Sequence, residues 1–165
     1  MRGYRITMPE IDRDRGKVLL YADHNADDRV LVKEGLARAF PDVTLVSVAD
    51  GQALMEYLQS VSQPNYRGPG PVPDAIMLEL NMPKKNGFEA LAEIRAMGTL
   101  GHVPVVVFST SNNEKDMDDA FQLGASAFIR KPRSSEELMA ALRSVIENGS
   151  HAEPDAAPAR LDRAS

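Results

Sequence analysis

The chain has 165 residues, 43% hydrophobic and 26% charged, which suits one folded domain rather than a disordered or membrane-embedded polypeptide. Its net charge of −5 argues against a nucleic-acid partner held by bulk charge, and the absence of cysteine excludes disulfides, thiolate metal ligands and cysteine nucleophiles. No apolar run approaches the roughly 20 residues that span a bilayer, and the charged N-terminus offers no signal segment, so the expected setting is the cytoplasm. Residues 1–17 carry a net +2 and residues 150–165 a net −1, which leaves −6 on the stretch between and makes the folded part acidic.

Residues 1–16 show no period and read as a tail. Lys17–Ala22 (KVLLYA) is a strand-length apolar run. Asp27–Phe40 reads as a helix with Val32, Leu36 and Phe40 on one face and Asp27 and Asp28 near its start, where the dipole favours anions. Val43–Val48 is β-branched and strand-like. Asp50 can cap a second helix whose apolar face is Leu54, Tyr57, Leu58 and Val61. Ser62–Pro73, with four prolines and two glycines, must be a loop. Asp74–Leu80 (DAIMLEL) is a third strand, and Asn86–Met97 a helix with Phe88, Leu91 and Ile94 inward. Val103–Ser109 is apolar on both faces, the pattern of a central parallel strand. Asn113–Leu123 is a helix ended by Gly124, Ala127–Arg130 a short strand, and Ser134–Glu147 the last helix, with Leu138, Ala141, Leu142, Val145 and Ile146 at helical spacing. The domain is therefore expected over 17–149, and the polar, Ala/Pro-rich residues 150–165 are expected to be disordered.

The order is (βα)5. Strict alternation implies a doubly wound parallel sheet with helices on both faces. Such sheets bind ligands beyond the carboxyl ends of their strands. Those ends carry Asp23-His24, Glu79-Leu80-Asn81, Ser109-Thr110-Ser111 and Lys131-Pro132, so acids, an imidazole, hydroxyls and an ammonium converge on one edge.

At these residues the sequence resembles the receiver domain of two-component response regulators, a CheY-like, flavodoxin-like fold of strand order 2-1-3-4-5. The resemblance covers about residues 17–148 and is carried by DAIMLELNMPKKNGFEAL, PVVVFSTS and LGASAFIRKP. It implies a phosphoacceptor after strand three, an acidic pair after strand one that helps hold Mg2+, and a hydroxyl and a lysine that contact the phosphoryl group. Carried over, the hydroxyl is Ser109, the lysine Lys131 and its proline Pro132; Asn81 takes the place whose carbonyl ligates the metal, and Phe128 the aromatic switch place. Two positions depart from the pattern. The phosphoacceptor place holds Glu79, native or engineered, and the acidic pair reads Asp23-His24; a shift of one makes Asp23 the second acid and leaves Ala22 in the first place.

Each departure acts on phosphoryl transfer. Glu79 reaches about 1.5 Å further than aspartate, into the space of the incoming phosphorus, and a misplacement of about 1 Å can cost a hundredfold in rate. Mg2+ wants oxygen ligands in near-octahedral geometry, which an imidazole does not supply. Metal binding at Asp23, His24 and Asn81 is thus expected to be weak or absent. An extended carboxylate could instead accept hydrogen bonds from Lys131 and Ser109 and imitate part of the phosphorylated state. Titration of His24 beside Asp23 is a weaker, pH-dependent expectation.

The resemblance implies a signalling module rather than an enzyme. The leading expectation is a stand-alone receiver that meets a histidine kinase or another signalling protein and gives its output by protein–protein contact, either to a partner or by forming a homodimer, through the face that the resemblance places at residues 112–147. The alternative is a working phosphorelay receiver. A third reading, a small-molecule-binding or enzymatic flavodoxin-like module, lacks a Gly-rich phosphate loop after strand one and any Ser-His-Asp arrangement.

Overall fold

The computed structural model describes residues 16–148 and the backbone of residues 159–160. Five strands and five helices alternate as expected: β1 (Val18–Ala22), α1 (Ala26–Ala39), β2 (Thr44–Val48), α2 (Gly51–Val61), β3 (Ala75–Leu78), α3 (Gly87–Ala96), β4 (Val105–Ser109), α4 (Glu114–Gln122), β5 (Ala127–Arg130) and α5 (Ser135–Asn148). All pairings are parallel and the order is β2-β1-β3-β4-β5, as the sequence pattern and the resemblance implied.

The helix starts are set by their caps. Asn25, Asp50, Asn86 and Asn113 each accept a backbone N–H from the first turn, at 2.9, 2.8, 3.0 and 2.9 Å. Asn25 rather than Asp27 or Asp28 therefore opens α1. That frees the Asp28 carboxylate for another use.

Strand alternation divides the core in two. Leu20, Ala22, Ile76, Leu78, Val105 and Val107 face α2, α3 and α4. Leu19, Tyr21, Met77, Val106 and Phe108 face α1 and α5, where Val32, Leu36, Leu142 and Val145 meet them. β1, β3 and β4 are buried along their whole length, the signature of covered parallel strands. Among the described residues no helix is long and apolar enough to cross a membrane.

One expectation is corrected. Within the tail read as disordered, Ala159–Arg160 forms a short sixth strand, β6, parallel to β5 in the register Ala127↔Ala159 and Phe128↔Arg160. α5 runs back against the strand direction, so a segment after it meets β5 in parallel. Backbone pairing at an open sheet edge needs no side-chain pattern, which is why the sequence did not announce it. Residues 1–15, 149–158 and 161–165, and the tail readings that rest on them, lie outside the described residues.

Two close approaches hold the loop between β3 and α3. A Cβ at Gly51 would lie 2.0 Å from the Lys85 carbonyl oxygen, and one at Gly87 would lie 2.4 Å from that of Glu79. At the opposite end of the sheet Arg95 ties two loops, the one between α3 and β4 and the one between α4 and β5. Its guanidinium donates to the carbonyls of Gly124 (2.9 Å), Gly101 (2.9 Å) and Val103 (2.6 Å) and to Ser126 Oγ (3.3 Å).

Candidate functional site

β1, β3, β4 and β5 end side by side, and the residues at or just past those ends meet. Glu79 leaves β3 with its amide donating to the Ala22 carbonyl (3.0 Å), and Lys131 leaves β5 with its amide donating to the Ser109 carbonyl (2.8 Å). Those bonds extend the sheet by one residue and aim both side chains into one pocket. Asp23, Glu79 and Ser109 are its buried polar groups, at 0%, 2% and 0% exposure.

The Lys131 ammonium lies at the centre. Its Nζ is 2.6 Å from Asp23 Oδ2, 2.7 Å from Glu79 Oε2 and 2.8 Å from Asp28 Oδ2. Glu79 Oε1 accepts from the amides of Leu80 (2.7 Å) and Asn81 (3.1 Å) and from Ser109 Oγ (2.8 Å). Asp23 Oδ2 also accepts from the Tyr21 hydroxyl (2.6 Å), while Oδ1 accepts from the Asn25 amide (2.9 Å). Among the described residues no buried side-chain N or O lacks a hydrogen-bond partner. Three carboxylates surround one ammonium, so the pocket carries an excess of negative charge.

That charge moves the titrating groups. Burial alone would lower the Lys131 pKa, but hydrogen bonds to Asp23, Asp28 and Glu79 outweigh it and hold the ammonium protonated well above the ordinary lysine range. Burial, followed by the bond to Asp23 and the neighbouring carboxylates, pushes the Tyr21 hydroxyl far above its usual value.

Of the residues singled out in sequence, Asp23, Glu79, Ser109 and Lys131 come together. His24 does not join them: its side chain is half exposed, with Nδ1 3.9 Å from Asp23 Oδ1. Asp23 turns in and His24 turns out because alternation puts position 23 on the side of residues 19 and 21. Asn81 is exposed and only its amide touches Glu79. Phe128 is buried in the α2–α4 side of the core. Pro132 lines a groove of about 250 Å³ between α1 and the β5–α5 turn, together with Leu31, Val32, Phe108 and Leu138. Sequence reading missed Asp28 and Tyr21. The signal for Asp28 was present but indirect: an asparagine two residues before Asp27 already supplies the cap.

The model of the response regulator receiver domain family matches residues 24–143. The response regulator Rcp1 of Synechocystis sp. is 38% identical over 128 residues, covering 78% of this chain and 84% of Rcp1. The Mn2+-bound form of Rcp1 superposes with a TM-score of 0.70 at 34% identity, covering 86% of this chain and 99% of the other. The phosphorylated cyanobacterial phytochrome response regulator RcpA gives a TM-score of 0.69 at 34% identity, covering 79% and 93%.

The residues here do not fit a divalent ion of the kind held by Rcp1. Such an ion needs several oxygens with open lone pairs aimed at one point. Both oxygens of Asp23 and both of Glu79 already accept hydrogen bonds or pair with Lys131, and His24 lies outside. Among the described residues no group of three or more His, Cys, Asp or Glu is arranged to hold a metal.

Proposed function

This chain belongs to the response regulator receiver domain family, and from that membership we propose that it signals by protein–protein contact without being phosphorylated, Glu79 imitating part of the phosphorylated state. Receivers of this family are signalling modules of the phosphorelay, not classical enzymes. The finer reading rests on one observation: Glu79 already spans to Lys131 at 2.7 Å and to Ser109 at 2.8 Å, the two groups that the family resemblance assigns to the phosphoryl group. The carboxylate does this with its own reach. Its imitation is partial, because one charge replaces about 1.5–2 and two oxygens replace three.

The same contacts weigh against phosphorylation. An attacking oxygen needs a free lone pair and an in-line approach. Glu79 Oε1 accepts three hydrogen bonds and Oε2 is paired with the ammonium. No bound metal is invoked in this reading, since the acids present do not fit one.

Incubation with acetyl phosphate and Mg2+ or Mn2+, read by intact mass, tests this directly. No mass gain is expected. A gain of one phosphate that disappears in Glu79→Gln would establish the alternative, a working phosphorelay receiver. The partner in this reading is a histidine kinase or another signalling protein, and a kinase of the phytochrome class is the first to try, given the name of RcpA. The output face, and any homodimer, is assigned to residues 112–147. If Lys131 anchors Glu79 to that face, Lys131→Ala shifts the amide resonances of residues 112–130; unchanged resonances count against the link.

A further inference from the structure

We propose that the outer edge of β5 is a self-association seam, that this chain covers the seam with its own β6, and that a second copy takes the edge when β6 leaves it. The proposal deepens the assignment of the output face to residues 112–147 and rests on it, with β6 as that face's built-in competitor.

β5 closes the five-stranded order on one side. α4 packs on one face of it, where Phe128 is buried, and α5 on the other, where Ile129 is buried. The outer edge of β5 therefore runs along the middle of the surface that α4, β5 and α5 make. Backbone amides alternate in direction along a strand. That of Lys131 donates to Ser109 on β4, so those of Ile129 and Ala127 turn toward β4 and that of Phe128 turns outward. Ala127, Phe128 and Ile129 are apolar, no proline interrupts them, and Arg130 is the only charge on the strand. Such an edge is a template for another strand.

β6 meets that template in the register Ala127↔Ala159 and Phe128↔Arg160. The cover is partial: β4 pairs with four residues of β5, β6 with two. Its tether favours it. Residues 149–158 join α5 to β6, and a short linker gives an effective concentration on the order of millimolar. A second copy at lower concentration loses that competition. Once β6 is gone, two β5 edges related by a two-fold axis run antiparallel, and each supplies the donors and acceptors that the other lacks.

Amide hydrogen exchange and sedimentation equilibrium on the full chain test this. Ala159→Pro with Arg160→Pro extends Pro158 into three consecutive prolines, whose polyproline II geometry does not enter a ladder, and Ala164→Pro is the control outside β6. In dilute solution the double variant is expected to lose protection about tenfold at the Phe128 amide, and none at that of Ile129. Both copies must open before they pair, so its dimer dissociation constant is expected to fall about a hundredfold, the square of that factor. At high concentration the Phe128 amide should regain its protection. The control should match the wild type. Both core clusters lie within residues 18–146, so a chain shortened to residues 1–149 keeps them and serves as the second variant. Three results overturn the proposal: Phe128 exchange equally slow in both variants and the wild type, variants that stay as monomeric as the wild type, and a dimer that forms without protecting Phe128. A mass gain in the acetyl phosphate assay would remove the unphosphorylated reading and leave this seam standing, whereas a dimer with Phe128 unprotected would remove the seam and leave that reading.

Discussion

Two partly buried cations stand at opposite ends of the same sheet and are satisfied in opposite ways. Arg95, at the end where the strands begin, donates to three backbone carbonyls and a serine hydroxyl. Lys131, at the end where they finish, pairs with three carboxylates. Burial lowers the pKa of Arg95, with no acid to oppose it. At Lys131 the acids win and the pKa rises. The difference separates a staple from a site. Carbonyl dipoles satisfy the donors of Arg95 without adding charge, so that end keeps only the guanidinium's own. Carboxylates need charge balance, and three against one leave a field that another cation, or a change of lysine, will perturb.

The largest break in this comparison is expected from Lys131→Met. Removing one partner from a buried ionic cluster leaves uncompensated charge and should cost about 3–5 kcal/mol at neutral pH in urea unfolding. Arg95→Met comes next, at about 3 kcal/mol, because the carbonyls of Gly101, Val103 and Gly124 lose a charged donor. Its cost should not vary between pH 5 and 9, and a marked variation there would erase the distinction between the two ends. Ser109→Ala removes a single hydrogen bond to Glu79 and should cost about 1.5 kcal/mol. Asp28→Asn is expected to be milder, at about 1 kcal/mol, because two carboxylates still hold the ammonium. The smallest effect is an alkaline one. The folded pKa of Lys131 lies above the unfolded value of about 10.4, so its stabilisation is complete below that pH and lost as pH climbs through the folded value. A nitrogen-15 lysine spectrum should show its ammonium signal persisting at a pH where an exposed lysine has lost its proton.

Strand and helix periods made the fold legible. The alternation of VLLYA, AIML and VVVFS with amphipathic helices gave the parallel sheet, and the strand-end rule pointed to Glu79, Ser109 and Lys131 before any coordinate. β6 was not legible, because a two-residue backbone pairing in a Pro/Ala-rich segment leaves no hydrophobic trace. Asp28 was misjudged for a different reason. A helix-start acid has a sufficient local explanation in the dipole, and only the return of the chain at Lys131 shows what it pairs with. His24 was overvalued because residues 23 and 24 are neighbours in sequence but leave β1 in opposite directions. Tyr21 read as one more apolar strand residue, yet its hydroxyl supplies Asp23 with a donor.

The glycines at 51 and 87 carry a consequence for how far the pocket can be redesigned. Each would bring a methyl group against a main-chain oxygen, at 2.0 and 2.4 Å, and main chain cannot swing aside as a side-chain tip can. The segment from Glu79 to Gly87 is clamped between the first turns of α2 and α3 like a shim between two plates. A bulkier residue at either glycine would displace the whole plate, so the spacing across which Glu79 spans is machined by backbone contact and leaves no slack for gradual adjustment.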